Sequence, residues 1–251
     1  MKKQKNYYVK GAMLLLFLLV AQKFYAQEPV WEDKRLNTAG SAAYMQPEER
    51  EMIYEVNRLR SDPPRYAKTF IAFRLDNALK VLKEKGKGTA NYSLTTHYRD
   101  NKPYKVDTTW HYTNEEEVKA LQTLYDTLLK MKPLSILQPD EGIYKACIKH
   151  AKDQAPTNSL SHQGRDGSWP YERVIKFSPK MEDGNENLAY NSHGNVRIIV
   201  LQLLIDEGIP GYGHRYNMLN PAWTHLACYA TRPPIMKSKW WIQEYGKIKE
   251  K

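Results

Sequence analysis

The order of apolar patterns along this 251-residue chain constrains its fold more than any other feature: helical spacing comes first, and strand-like runs come last. Ile53, Val56 and Leu59 recur at helical spacing behind Pro47 and three glutamates, which is typical of a helix N-terminus. The runs 225–231 and 240–245 suit strands. This order predicts helices that flank a modest sheet. Further helices are predicted from Ser61 to Leu82, from the capping box of Thr113 and Glu116, at 140–154 and at 196–205.

Residues 86–112 interrupt this order because they are polar and rich in tyrosine and threonine. Asp100-Asn101-Lys102-Pro103 is typical of a turn, and the runs on either side of it can pair as strands. The glycines of Gly86-Lys87-Gly88-Thr89 lack the spacing of a phosphate-binding loop. We therefore interpret the segment as an insertion in a single domain that spans residues 47–251.

Composition excludes several classes of protein. Hydrophobic residues make up 41% of the chain, which is enough for a core and argues against a disordered protein. Two cysteines exclude a disulfide-dense miniature domain and a cysteine-rich zinc framework. No repeat with a period of about 20–50 residues is visible, which argues against a solenoid.

The first 26 residues have the pattern of a secretory signal peptide. Lysines precede an unbroken apolar run from Ala12 to Ala21, and this run is shorter than the roughly 20 residues that span a bilayer as a helix. Cleavage after Ala26 would leave residues 27–46 as an N-terminal extension; an uncleaved signal anchor is the alternative. We therefore predict a protein that is secreted or located in the periplasm or cell envelope.

The formal net charge of +10 at pH 7 does not indicate a nucleic-acid-binding protein. Five lysines in residues 1–26, a segment without acids, carry half of this charge. The other basic residues are scattered among acids and form no stripe. A mixed-charge surface is the simpler interpretation, so no nucleic-acid partner is expected.

Residues with catalytic or ligand-binding chemistry cluster between positions 160 and 220. His162 lies in a turn, Ser161–Gly167; Glu186 is the one acid of Gly184–Ala189; and His214 follows Gly211-Tyr212-Gly213. Glycines next to such groups allow a close approach of the backbone. Each histidine alone is more often structural, so the combination carries the argument.

Together these segments resemble the CAP superfamily, which is named for cysteine-rich secretory proteins, antigen-5 proteins and pathogenesis-related proteins, and they resemble its bacterial branch most. The resemblance covers about residues 50–246 and implies an α+β fold, a three-layer α-β-α sandwich with a small antiparallel sheet between helices. The matching pieces, in order, are Glu55–Arg60, Ala146–Ala151, His162-x-Gly164-x-Asp166-Gly167, Glu172-Arg173, Glu186-Asn187, Ile205–Gly208 and Gly213–Arg215.

The resemblance also implies a site, because the family places two histidines and two acids in a central cleft. His162 and His214 match the histidines by motif, and Glu186 matches one acid. Glu207 is carried over as the second acid, with Asp206 as its neighbouring alternative. We therefore expect these side chains to converge on one accessible cleft.

Two imidazoles and one or two carboxylates suit a divalent metal such as zinc, which some family members bind. His162 and His214 are the predicted metal ligands. The alternative is a hydrogen-bonded cluster that only braces the cleft. Outside this set, Asp166 is expected to cap a turn, Arg173 to pair with an acid, and His150 to pack in the core.

Three classes of function remain open. The first is a secreted binding module for an extracellular or envelope ligand, which is a lipid, a peptide or a cell-wall component. The second is a hydrolase in which Glu186 is the base and a histidine or metal polarises the substrate. The third is a structural or interaction protein. No Gly-x-Ser-x-Gly motif is present, which argues against a serine hydrolase. Activities differ across one fold, so analogy of fold does not choose between these classes. The binding module is preferred, and the hydrolase is kept as the alternative.

The two cysteines add a structural prediction. Cys147 lies on the apolar face of a predicted helix, and Cys228 lies in a predicted core strand. The implied fold packs helices on the sheet, and export makes a Cys147–Cys228 disulfide chemically accessible. Two separate buried thiols are the alternative.

Overall fold

The computed structural model describes residues 31, 33–88, 92–99, 102–110, 112–157, 160–191, 195–233 and 238–250. The predicted signal peptide lies outside the described residues, as does the start of the predicted extension. Residues from Asp33 onward form one compact unit. Within the described part of the chain, no helix combines the length and the apolar character needed to cross a bilayer.

Helices and strands follow the predicted order, but one strand, Met181–Asn191, and two short helices, Pro170–Phe177 and Gly213–Leu219, were not predicted. The helices are α1 (Pro47–Ser61), α2 (Pro63–Tyr66), α3 (Ala72–Lys85), α4 (Asn114–Lys130), α5 (Glu141–Gln154), α6 (Pro170–Phe177), α7 (Val196–Ile205) and α8 (Gly213–Leu219). The strands are β1 (Tyr92–Arg99), β2 (Lys102–Trp110), β3 (Met181–Asn191), β4 (His225–Thr231) and β5 (Lys239–Ile248).

Local sequence signals fix where several helices begin. Thr113 and Glu116 form the predicted capping box at the start of α4. The Asp140 side chain accepts a hydrogen bond from the backbone N–H of Ile143 and so caps α5. The helix predicted from Ser61 to Leu82 is interrupted, because a π turn, Ala67–Ile71, joins α2 to α3.

A three-stranded antiparallel sheet in the order β3-β5-β4 forms the middle of the domain. Trp240 and Trp241 on the central strand are fully buried, and consecutive strand residues point to opposite faces, so both faces of the sheet are covered. On one face the Gln243 side chain contacts Met52 of α1. On the other face Glu244 is bonded to Arg173 of α6. This is the predicted α-β-α sandwich.

The segment predicted as an insertion forms a separate antiparallel hairpin of β1 and β2, in which Tyr92 is opposite Trp110. The strand pairing predicted there is confirmed. The centre of the predicted turn, residues 100 and 101, lies outside the described residues.

The predicted disulfide is wrong: Cys147 and Cys228 are both free and both fully buried. The Cys147 thiol donates to the carbonyl of Ala227, on the face that α5 covers. Cys228 is the next residue of β4 and is opposite Gln243, whose side chain contacts α1. The sheet therefore separates the two sulfur atoms, because neighbouring strand residues point to opposite faces.

Candidate functional site

His162, Glu186 and His214 line one open cleft of about 500 Å³. His162 lies in the loop between α5 and α6, Glu186 in the middle of β3, and His214 in the first turn of α8. Glu186 and its neighbour Asn187 are buried although they lie in a strand whose sequence is largely polar.

The Glu186 carboxylate holds the first imidazole. Its Oε1 lies 3.0 Å from Nδ1 of His162, and its Oε2 accepts a hydrogen bond of 3.0 Å from Arg173. Glu186 and Arg173 are buried, whereas half of the His162 side chain is exposed. Arg173 also donates to the carbonyls of His162 and Ser168, at 3.1 and 2.9 Å. One buried guanidinium thus fixes both the acid and the loop that carries the histidine.

Glu244 is a second buried acid on this guanidinium, and sequence reasoning missed it. Its Oε1 accepts from Nε of Arg173 at 3.1 Å, and no described residue forms a hydrogen bond with its Oε2. Burial raises the pKa of Glu244 to about 8, Glu186 acts in the same direction, and Arg173 opposes both. The available signal was an acid inside the apolar run 240–245, where an unpaired charge is costly.

His150 packs behind the cleft, as predicted. It is fully buried, and its Nε2 lies 2.8 Å from the carbonyl of Ser161 and 3.7 Å from Oε2 of Glu186. Burial lowers the pKa of His150, and Arg173 lowers it further, although Glu186 acts in the opposite direction. A neutral ring that donates from Nε2 to Ser161 fits this environment.

Asp206, not Glu207, holds the second imidazole. Oδ1 of Asp206 lies 2.6 Å from Nδ1 of His214, and Oδ2 accepts from the backbone N–H of His214 at 3.0 Å. Asp206 follows the last residue of α7 in the left-handed conformation, with φ 58°, and it is buried. This backbone reversal turns its carboxylate toward α8. The assignment of Glu207 as the second acid is therefore corrected.

Glu207 lies in a different cavity of about 410 Å³, which Tyr112 and Tyr190 also line. No described residue forms a hydrogen bond with its Oε2. Burial raises the pKa of Glu207, and Glu117 and Asp206 contribute in the same direction. His214 lines this cavity as well as the main cleft, so the two spaces adjoin.

The cleft lies across the free edge of β3, where both helical layers meet. Glu186 points toward the layer of α5 and α6, and Asn187, one residue later, points toward α8. Asn187 donates to the carbonyl of His214 at 3.2 Å, and Asn217 of α8 donates to the carbonyl of Glu186 at 3.0 Å. Neighbouring residues of one strand therefore position the two histidines from opposite faces.

The donor atoms fit a divalent metal only in part. Both Nδ1 atoms are engaged by carboxylates, which leaves Nε2 of His162 and of His214 as the imidazole nitrogens for an ion. No described residue bonds either Nε2. Among the described residues, no three histidine, cysteine, aspartate or glutamate side chains are grouped to hold an ion. Protein zinc sites have three or four such ligands.

Comparison with known protein families gives one match. The model of the cysteine-rich secretory protein family, CAP, matches residues 53–245. The chain belongs to the CAP family. A comparison of this CAP protein with curated protein sequences finds no match.

Three solved structures are similar to this CAP protein. An outer surface protein of Borrelia burgdorferi is 18% identical, with a TM-score of 0.38, over 52% of this chain and 94% of that one. An extracellular SCP-domain protein of Bacillus anthracis is 15% identical, with a TM-score of 0.38, over 68% and 71%. The CAP domain of enterococcal PrgA is 18% identical, with a TM-score of 0.32, over 47% and 55%.

Proposed function

We propose that this CAP domain is an extracellular or envelope binding module that holds its ligand in the cleft between His162 and His214. One observation carries the proposal: a buried carboxylate engages Nδ1 of each cleft imidazole and leaves each Nε2 without a bond to a described residue. Carboxylates that fix the tautomer and orientation of histidines in this way are typical of rings that contact a ligand.

The same geometry argues against Glu186 as a general base. Both of its oxygens are engaged, one by His162 and one by the fully buried Arg173. A base must reach the proton that it removes, and both oxygens of Glu186 are already held by these contacts. Glu186 therefore acts on the ligand through His162 and is a positioning residue.

A hydrolase is the second candidate, and one observation favours it. The pair His214–Asp206 has the arrangement in which an acid orients a histidine that works as a base. The described lining of the cleft includes no serine, threonine or cysteine that could be a nucleophile. Such an enzyme would therefore use His214 to take a proton from a water molecule that attacks the substrate.

No step is assigned to a metal. A divalent ion would have only Nε2 of His162 and Nε2 of His214 as imidazole ligands from this cleft, and the two acids beside them, Glu186 and Asp206, are already paired with the rings. When bound, it would supply Lewis-acid polarisation of a ligand oxygen. The predicted zinc binding stays a prediction.

The proposal is tested with defined probes and nitrogen-15 NMR of the imidazoles. The probes are Zn²⁺, neutral tetrasaccharides, tetra-alanine and micellar dihexanoyl phosphatidylcholine. We expect at least one probe to shift the Nε2 resonances of both His162 and His214. H162A and H214A should each weaken that binding about tenfold or more, since each removes a ligand contact.

The control variant is H225A, because His225 lies on β4 and does not line the cleft. Binding should survive this substitution. The proposal is wrong if no probe shifts either ring, or if binding is equal in H162A, H214A and the wild type. Products released from a probe by the wild type but not by D206N would instead establish the hydrolase.

A further inference from the structure

We propose that the ligand of this cleft is a neutral glycan whose sugar rings stack on Trp169 and Tyr171. The inference rests on the proposed function and names the chemical class of the ligand. A sugar ring has an apolar face of C–H groups and a rim of hydroxyls. It therefore needs an exposed aromatic surface together with side chains that donate and accept hydrogen bonds.

The aromatic surface is present at one end of the cleft. Trp169 and Tyr171 both line it, and each is 46% exposed. In contrast, Trp223, Trp240 and Trp241 are buried. The backbone N–H of Trp169 donates to Glu172 in the first turn of α6, which fixes the chain at this point. Two exposed aromatic side chains at a fixed helix start give the cleft an apolar surface on which a ligand can stack.

Hydrogen-bonding groups of the edge strand line the same cleft. Asp183 and Asn185 lie two residues apart on β3 and therefore project to the same side. Both are exposed and line the cleft. Their Oδ1 atoms accept from the next backbone N–H, which leaves Oδ2 of Asp183 and the amide nitrogen of Asn185 for a ligand. An acceptor and a donor side by side match neighbouring sugar hydroxyls.

The same hydrogen bonds argue against a peptide that joins the sheet as an extra strand. Such a peptide would pair with the free edge of β3. The backbone N–H groups of Gly184 and Glu186 are already bonded to side chains, and the carbonyl of Glu186 accepts from Asn217. Strand addition would have to break these contacts, so the edge is protected.

Charge argues against an anionic ligand. No lysine or arginine is among the described residues that line the cleft, whereas Asp183 and Glu186 are. A phosphate or carboxylate would therefore meet negative charge without a compensating cation at the surface. A neutral glycan carries no charge to be repelled, and it does not need to pair with the backbone of β3.

Tryptophan fluorescence with chitotetraose, cellotetraose and maltotetraose tests the proposal. We expect at least one of these neutral tetrasaccharides to change the emission of Trp169 and to bind with saturation. W169A and Y171A should each weaken binding about tenfold or more, because each removes most of a stacking face. W169F should restore part of the affinity, which a change in folding alone would not explain.

The matched control is Y216A, which removes an aromatic side chain that is 70% exposed but does not line the cleft. Equal weakening by Y216A, or no binding of any tetrasaccharide, would overturn the glycan proposal. If tetra-alanine or the phospholipid still shifts the rings of His162 and His214, the proposed function stands without the glycan. If no probe shifts them, both proposals fail.

Discussion

Asp206 owes its role to one backbone conformation. With φ 58° it occupies the left-handed region, which asparagine and aspartate tolerate better than most residues. Its carboxylate then accepts from both Nδ1 and the backbone N–H of His214. Asparagine can keep the backbone conformation, but it replaces one of the two acceptor oxygens by a donor.

We therefore expect D206N to release the His214 ring from a single tautomer. In nitrogen-15 spectra at a pH where the ring is neutral, the wild type should carry its proton on Nδ1, and D206N should show a mixture of both tautomers. E207Q should leave the spectrum unchanged, because Asp206 and not Glu207 is the hydrogen-bond partner of His214. A spectrum that changes in E207Q and not in D206N would reverse the assignment of the second acid.

Glu244 should make stability depend on pH. Its pKa is raised to about 8 in the folded protein, above the ordinary 4.5 of an unfolded chain, because it is buried. Between these values the folded state binds the extra proton. The free energy of unfolding should therefore fall as the pH rises from about 5 to about 8, by at most about 1.4 kcal/mol per pH unit from this group.

E244Q should remove that part of the pH dependence, since the amide stays neutral. Urea unfolding at pH 5, 6.5 and 8 measures this pH dependence of the free energy of unfolding. The stability of E244Q relative to the wild type should increase as the pH rises. E182Q is the control, because Glu182 is a partly exposed acid that pairs with Lys247. Identical pH profiles for E244Q and the wild type would contradict the assignment.

The sequence alone was sufficient to predict the two cleft histidines, but not all of the acids that support them. His162, Glu186 and His214 stand in short motifs with neighbouring glycines or asparagines. Asp206 and Glu207 are adjacent acids, and only the turn after α7 decides which one meets His214. The contact between Glu244 and Arg173 spans 71 positions and depends on strand register, so no local pattern reveals it.

At the scale of elements, α6 is packed tightly against β3 at Gly184. A Cβ atom at this glycine would lie 2.7 Å from Cβ of Val174 and 2.9 Å from the carbonyl oxygen of Tyr245. G184A should therefore lower the free energy of unfolding by about 1–3 kcal/mol, as overpacking does. Urea unfolding measures the change, and the shift of α6 should also alter Trp169 fluorescence.

G213A is the matched control. Gly213 begins α8 with helical dihedral angles, and no heavy atom lies within 4 Å of a Cβ placed there. Alanine should be neutral at this position or stabilise the protein by up to about 1 kcal/mol. A larger loss of stability in G213A than in G184A would contradict the packing argument.

Element prediction succeeded where local patterns and tertiary structure agree. The capping box of α4 and the apolar run of α7 were sufficient to predict those two helices. Strand β3 was not predicted, because Met181–Asn191 contains acids and asparagines where a buried strand usually has apolar residues. Its buried polar side chains, Glu186 and Asn187, are satisfied by Arg173 of α6 and Asn217 of α8, which are 13 and 30 positions away in the sequence.

For the whole molecule, the position of the cysteines on opposite faces of the sheet predicts their reactivity. Burial raises the pKa of both thiols well above the ordinary value, so neither forms a thiolate at neutral pH. A thiol reagent should react with neither cysteine in the native protein. After unfolding without reductant, it should react with both. Detection of fewer than two thiols after unfolding would indicate a disulfide.

Because the cleft lies across β3, its geometry depends on which residues of this strand point to which face of the sheet. A shift of one residue would exchange Glu186 and Asn187 between the two layers and dismantle both histidine supports at once. The strand has an irregularity between Met181 and Asp183, ahead of these residues. Such a bulge can absorb an added or deleted residue upstream. Length changes before Asp183 should thus be neutral in evolution, whereas those between Asp183 and Asn187 should not persist.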